Sequence, residues 1–173
     1  MSGAIVVSDR GETLEFAFAD LMRYHGPGSP GGVAHGYKVL ERALPLLEPE
    51  GAPERREIRV HTAFGGPGAR DAFELVTRAV TGDRYVLDPS LERAERGRAL
   101  ARFVFRLVYR DRSVALSVRQ GYVTDELIDL ARVPERTPEQ EARFAAVKRE
   151  IADLVMSVPA TEVYDVTDVS GSW

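Results

Sequence analysis

Val33, Tyr37, Leu40, Leu44 and Leu47 recur at steps of four and three, the spacing of one helical face, and Pro49 and Gly51 close the element. A shorter run of Leu14, Phe16, Ala17, Phe18 and Leu21 predicts a helix over 13–22 that delivers the chain to a glycine-rich junction. After a charged connector at 54–56 the period changes. Ile58, Val60, Thr62 and Phe64 alternate with Arg59, His61 and Ala63, the two-residue repeat of a strand, which sets His61 opposite the more apolar side. Gly65, Gly66, Pro67 and Gly68 interrupt that strand, and Ala72, Leu75, Val76 and Ala79 then return at helical spacing. The result is a strand, glycine loop, helix unit.

Tyr85 to Leu87 read as a further short strand. Ala101, Phe103, Phe105, Leu107 and Tyr109 alternate with Arg102, Val104, Arg106 and Val108, and Asp111 and Arg112 turn the chain into Val114, Leu116 and Val118, which predicts a β-hairpin. A short helix is expected after Thr124. A longer one starts at Thr137, where Thr137, Pro138 and Gln140 supply an N-cap, a first-turn proline and a capping-box partner. Phe144, Val147, Ile151, Leu154 and Val155 form its apolar stripe. With no internal repeat and no linker, the expected organisation is one α+β domain over 1–166, its small mixed sheet flanked by helices, and a loosely ordered tail over 167–173.

Composition narrows the chemistry. A 173-residue chain that is 44% hydrophobic and 29% charged is not a wholly disordered one, and a net charge of −4 argues against general nucleic-acid affinity. Lys38 and Lys148 are the only lysines among 23 basic residues. The absence of cysteine excludes disulfides, thiolate zinc sites and cysteine nucleophiles, so any metal would need His, Asp or Glu. The first residues lack a basic flank with a long apolar run, and no stretch has the length of a membrane span, so a cytoplasmic location away from membranes is expected.

Candidate chemistry concentrates between Tyr24 and Lys38, which hold two of the three histidines and five of the fifteen glycines. Such clustering marks tight turns or a backbone that something approaches closely: a ligand, an ion or another subunit. Gly26 to Gly31 formally satisfy Gly-x-Gly-x-x-Gly, but the dinucleotide fingerprint needs a preceding strand and the residues here look helical, so structural turning is the preferred explanation. An anion at the start of the following helix is a more modest expectation. His25 stands at the mouth of this loop, where an imidazole is easily aimed at a pocket. Arg102, Arg106 and Arg110 would share a strand face and could hold a carboxylate or phosphate, although a solvated hairpin face explains them more simply. Asp71, Glu74 and Arg78 read as an exposed face with an i, i+4 ion pair.

The order of these motifs resembles the FmdE-like family, named for a component of formylmethanofuran dehydrogenase, in its amino-terminal domain. The family's opening pattern, His-Gly-His-x-Cys-Pro-Gly and then Gly-Tyr, is similar to His25-Gly26-Pro27-Gly28-Ser29-Pro30-Gly31 with Gly36-Tyr37. Its second, Asp-Ala-Ile-Gln with Thr-Gly-Cys-Thr-x-Gly, is similar to Asp71-Ala72-Phe73-Glu74 and residues 77–82. Gly97, Phe103-Val104-Phe105 and the stretch from Val158 to Val166 resemble later blocks. The resemblance, from Phe16 to Val166, implies an α+β fold with a small mixed sheet flanked by helices, a homodimer, and a pocket scaffold that includes His25. It departs at the family's metal ligands, because Ser29 and Ala79 stand at cysteine positions and Pro27 at the second histidine position, and the 173 residues hold no cysteine for a zinc ribbon.

Three functions follow as expectations. The favoured one is an enzyme on a small, anionic organic substrate, with His25 and His61 as acid–base groups and Gly28, Ser29, Gly31, Tyr37, Arg102 and Arg106 at the ligand. The second is a protein in which His25, His35 and His61 hold a transition metal or a haem for sensing, delivery or redox chemistry. The third is a non-catalytic, partner-binding role within a larger assembly.

Overall fold

Ile5, Val7, Leu14 and Phe16 face the same side of an antiparallel hairpin formed by β1 (Ile5–Asp9) and β2 (Glu12–Phe16), where Ile5 pairs with Phe16 and Val7 with Leu14. This is the first correction to the sequence pattern, which predicts a helix over 13–22. Leu14 and Phe16 belong to a two-residue period, and a two-residue turn at Arg10 and Gly11, both at positive φ, gives the tight reversal a hairpin needs. The computed structural model describes residues 3–171. Helix α1 (Phe18–His25) follows the hairpin and ends at Gly26, whose φ of 88° turns the chain and whose N–H donates to Met22 O at 2.7 Å.

Helix α2 (Pro30–Leu47) is the central element and is buried almost all round. It packs on the inner face of a five-stranded sheet of order β4-β3-β5-β6-β7, built from β3 (Ile58–Thr62), β4 (Tyr85–Leu87), β5 (Val104–Tyr109), β6 (Arg112–Val118) and β7 (Tyr164–Ser170). Only β3 and β4 run parallel, joined through α3 (Pro67–Thr77), so the strand, glycine loop, helix unit is present. Ile58, Val60 and Thr62 pair with Tyr109, Leu107 and Phe105, and all six point into the core. The opposite face carries Arg59, His61 and Arg106, of which the two arginines are exposed.

Helices α4 (Asp125–Arg132) and α5 (Pro138–Met156) form a hairpin beside α2, and the short turn α6 (Ala160–Val163) leads into β7. The α5 capping box is formed as expected: Thr137 Oγ1 accepts from Gln140 N at 3.2 Å and Gln140 Oε1 accepts from Thr137 N at 2.9 Å. Val147, Ile151 and Val155 are buried, but Leu154 is exposed. A second correction concerns the tail: residues 167–170 continue edge strand β7 and pair with β6, while 172 and 173 lie outside the described residues. The whole is a single α+β domain with sheets of two and five strands. Among the described residues no helix is long and apolar enough to cross a membrane.

Candidate functional site

The glycine cluster has a structural cause first. A Cβ on Gly32 would stand 3.2 Å from Ala69 N, one on Gly36 would meet Ala72 Cβ at 2.7 Å, and one on Gly68 would meet Ser29 O at 2.5 Å. Glycine therefore lets the backbones of α2 and α3 touch where both helices begin. Both starts lack a side-chain cap and a first-turn acid, and each has a proline in its first turn.

At this junction His25, the last residue of α1, is paired with Asp71 on α3. Its Nδ1 donates to Asp71 Oδ2 at 2.7 Å, and its side chain is 8% exposed. The neutral ring then carries its free lone pair on Nε2. That atom is buried and has no hydrogen-bond partner. It lies under the loop of residues 26–29, 4.0 Å from the place a Cβ on Gly28 would occupy. Leaving a buried polar atom unpaired costs about 1–3 kcal/mol, a cost that clipping α1 to α3 does not itself require. The sequence pattern puts Asp71 on an exposed helix face, and the pairing with His25 corrects that. Its neighbour on the same face, Glu74, is buried and accepts from Thr81 N at 3.0 Å as well as pairing with Arg78 at 3.5 Å.

The same loop, through Ser29, borders a pocket of about 160 Å3. Ser29, Gly31 and Gly32 from α2 and its cap, with Gly66, Pro67 and Gly68 from α3, form one wall. Phe64 and Phe103, stacked with centroids 4.1 Å apart, form a second, and Leu127, Ile128 and Ala131 of α4 with Phe144 of α5 form the third. Lys148 completes the lining. Its ammonium donates to Gly28 O at 2.6 Å and sits 4.1 Å from the Phe144 ring centroid. Burial first, and the Arg136 guanidinium second, hold its pKa below the ordinary lysine value. A larger depression of about 320 Å3 at the other end of α2 carries Glu41 and Glu48 and lies away from every histidine, so it is not taken as the site.

The other expected residues disperse. His35 lines the pocket floor but is fully engaged: Nε2 donates to Tyr122 O at 2.9 Å, while Tyr164 OH donates to Nδ1 at 2.8 Å. Burial pushes its pKa down to about 4, so it is a neutral structural histidine. His61 stands on the outer sheet face opposite Arg106, its pKa lowered by burial and then by that guanidinium. The sheet therefore separates His61 from His25, and the expected acid–base pair is not brought together. Nor is the set of His25, His35 and His61 as metal or haem ligands: among the described residues no three His, Cys, Asp or Glu side chains are grouped to hold a metal ion.

Ser29 and Gly31 line the pocket, and Gly28 borders it through Lys148. Tyr37 does not. It is buried against Phe18 and donates to Gly3 O. Arg102 precedes β5 and faces Glu92 at 3.7 Å, and Arg110 lies in the turn at φ 55° and pairs with Glu57 at 2.8 Å, so the three-arginine row does not exist. Asp71 and Lys148 join the site although the sequence pattern assigned neither to it. The signal for Lys148 was its rarity, since every exposed cation here is an arginine and both lysines are partly or wholly buried. Compared with known proteins, the sequence matches no family model and no curated protein.

Proposed function

We propose that this protein is an enzyme of small-molecule acid–base chemistry, with His25 as the proton-transferring group, Asp71 as the residue that orients it, and the glycine junction of α2 and α3 as the place where a small organic anion binds. The observation that carries this is the His25–Asp71 pair at 2.7 Å with Nε2 buried, unpartnered and turned toward the loop that borders the pocket. A carboxylate on Nδ1 fixes the tautomer and supports the imidazolium that forms when Nε2 takes a proton. Displacement of the loop at Gly26 and Gly28 would open Nε2 to a substrate. His61, on the far face of the sheet, takes no part. A homodimer, as the resemblance to the FmdE-like family implies, and a cytoplasmic location belong to the same proposal.

A panel of small carboxylic acids incubated with the protein in D2O and followed by proton NMR tests this. Exchange or conversion of at least one acid is expected, falling about 10²–10⁴-fold in His25→Gln, the range general acid–base groups contribute. Asp71→Asn should fall as well. Equal rates in wild type and His25→Gln, or a panel left unchanged by the wild type, would contradict it.

A further inference from the structure

From the composition of the pocket walls we infer that the ligand is a small monocarboxylate with a compact apolar body of about six carbons, its body between Phe64, Phe103, Leu127 and Ile128 and its carboxylate on Lys148. The inference rests on the function proposed above, since it names the ligand class of that site.

Three observations support it. The first is size and polarity. The pocket measures about 160 Å3 and its far walls are aromatic and aliphatic. An apolar cavity of about 150 Å3 with such walls holds one benzene-sized body. Water there would find few polar partners, because His35, the one imidazole on the floor, already uses both ring nitrogens.

The second is charge. Of the described residues that line the pocket, Lys148 is the only charged one. It forms a hydrogen bond to Gly28 O and a contact with the Phe144 ring, but no ion pair with a described carboxylate. An ammonium has three protons to donate, so two remain for a ligand oxygen. Half-buried, and with the Glu141 carboxylate that acts on it already paired with Arg136, this lysine favours a partner with one negative charge. A doubly charged phosphate would leave an unbalanced charge in an apolar site, which is costly.

The third is the wall that faces the lysine. The starts of α2 and α3 abut there, neither with an acidic residue in its first turn nor with a side chain on its free N–H groups. Both dipoles reinforce the preference for an anion set by Lys148.

Isothermal titration of the whole chain with 4-methylpentanoate, its primary amide and inorganic phosphate tests the assignment. The acid should bind at least tenfold more tightly than the amide, and phosphate should not bind. Lys148→Met should bring the acid down to the amide's level, with Lys148→Gln as a second variant that keeps a donor to Gly28. Ile128→Trp, or the milder Ala131→Leu, should weaken acid and amide together by filling the pocket, with folding checked by circular dichroism. Equal affinity for acid and amide, indifference to both Lys148 variants, or a preference for phosphate would overturn the inference. His25→Gln separates it from the catalytic proposal. Acid binding retained in that variant, with no exchange in D2O by the wild type, upholds the ligand class and contradicts the acid–base role. Exchange that depends on His25, without discrimination between acid and amide, does the reverse.

Discussion

His35 is 1% exposed, donates to a backbone carbonyl through one ring nitrogen and accepts from Tyr164 through the other, so folding fixes it as a neutral ring. Its pKa is about 4, against 6.5 for a free histidine. The unfolded chain therefore takes up a proton at a pH where the native state resists it. Stability from this residue is complete above about pH 6.5 and is lost as the pH falls toward 4, by about 3 kcal/mol in all. Urea denaturation between pH 7 and 5 should show a falling midpoint, and the slope should flatten in His35→Gln; an unchanged slope in that variant would refute the assignment. The depressed carboxylates, Asp9 and Asp88 among them, respond at lower pH. His61, also depressed, adds to the slope with the same sign. At this scale the sequence marked the three histidines but not their roles, because a role depends on what lies opposite. The carboxylate that orients His25 is 46 residues away, and no local pattern distinguishes it from an exposed helix residue.

Among the elements, what periodicity could show was largely legible: the face of α2, the alternation in β3, the β5–β6 hairpin and the α5 cap all come from patterns of a few residues. The hairpin of β1 and β2 was hidden because Phe16, Ala17 and Phe18 join the end of a strand to the start of a helix and blur both periods. Edge strand β7 was hidden for a different reason. Its Asp165, Thr167 and Asp168 are polar and exposed, so only its pairing with β6 makes it a strand. The glycine cluster signals a close approach, and the approaching body is helix α3. Gly68→Ala would force a Cβ to within 2.5 Å of Ser29 O and 2.8 Å of Val33 N, both backbone atoms that cannot rotate away. A loss of about 1–3 kcal/mol is expected from such overpacking. Gly51→Ala, whose Cβ would meet nothing within 4 Å, should stay within about 0.5 kcal/mol of wild type. Equal thermal stability of the two variants would mean that the α2–α3 crossing is looser than described.

Across the whole molecule, the fold gathers its chemistry on one side of the five-stranded sheet. Two helix starts, a buried imidazole, a half-buried lysine and an apolar pocket meet around the loop of residues 26–29, while His61 and Arg106 lie on the far face. That separation was hidden in the sequence, since alternation sets His61 opposite the core side but does not tell which face α3 covers. The loop is the shared boundary: Gly28 lies against His25 Nε2 and hands its carbonyl to Lys148, and Ser29 lines the pocket. The central claim is that base and pocket are one site. A single NMR titration of the 15N-labelled protein with 4-methylpentanoate reads both halves, through the amides of Gly31, Gly32 and Gly68 and through the ring nitrogens of His25. The expected result is that all of them shift along one saturation curve. Amides that saturate while the His25 ring stays unmoved would contradict the claim.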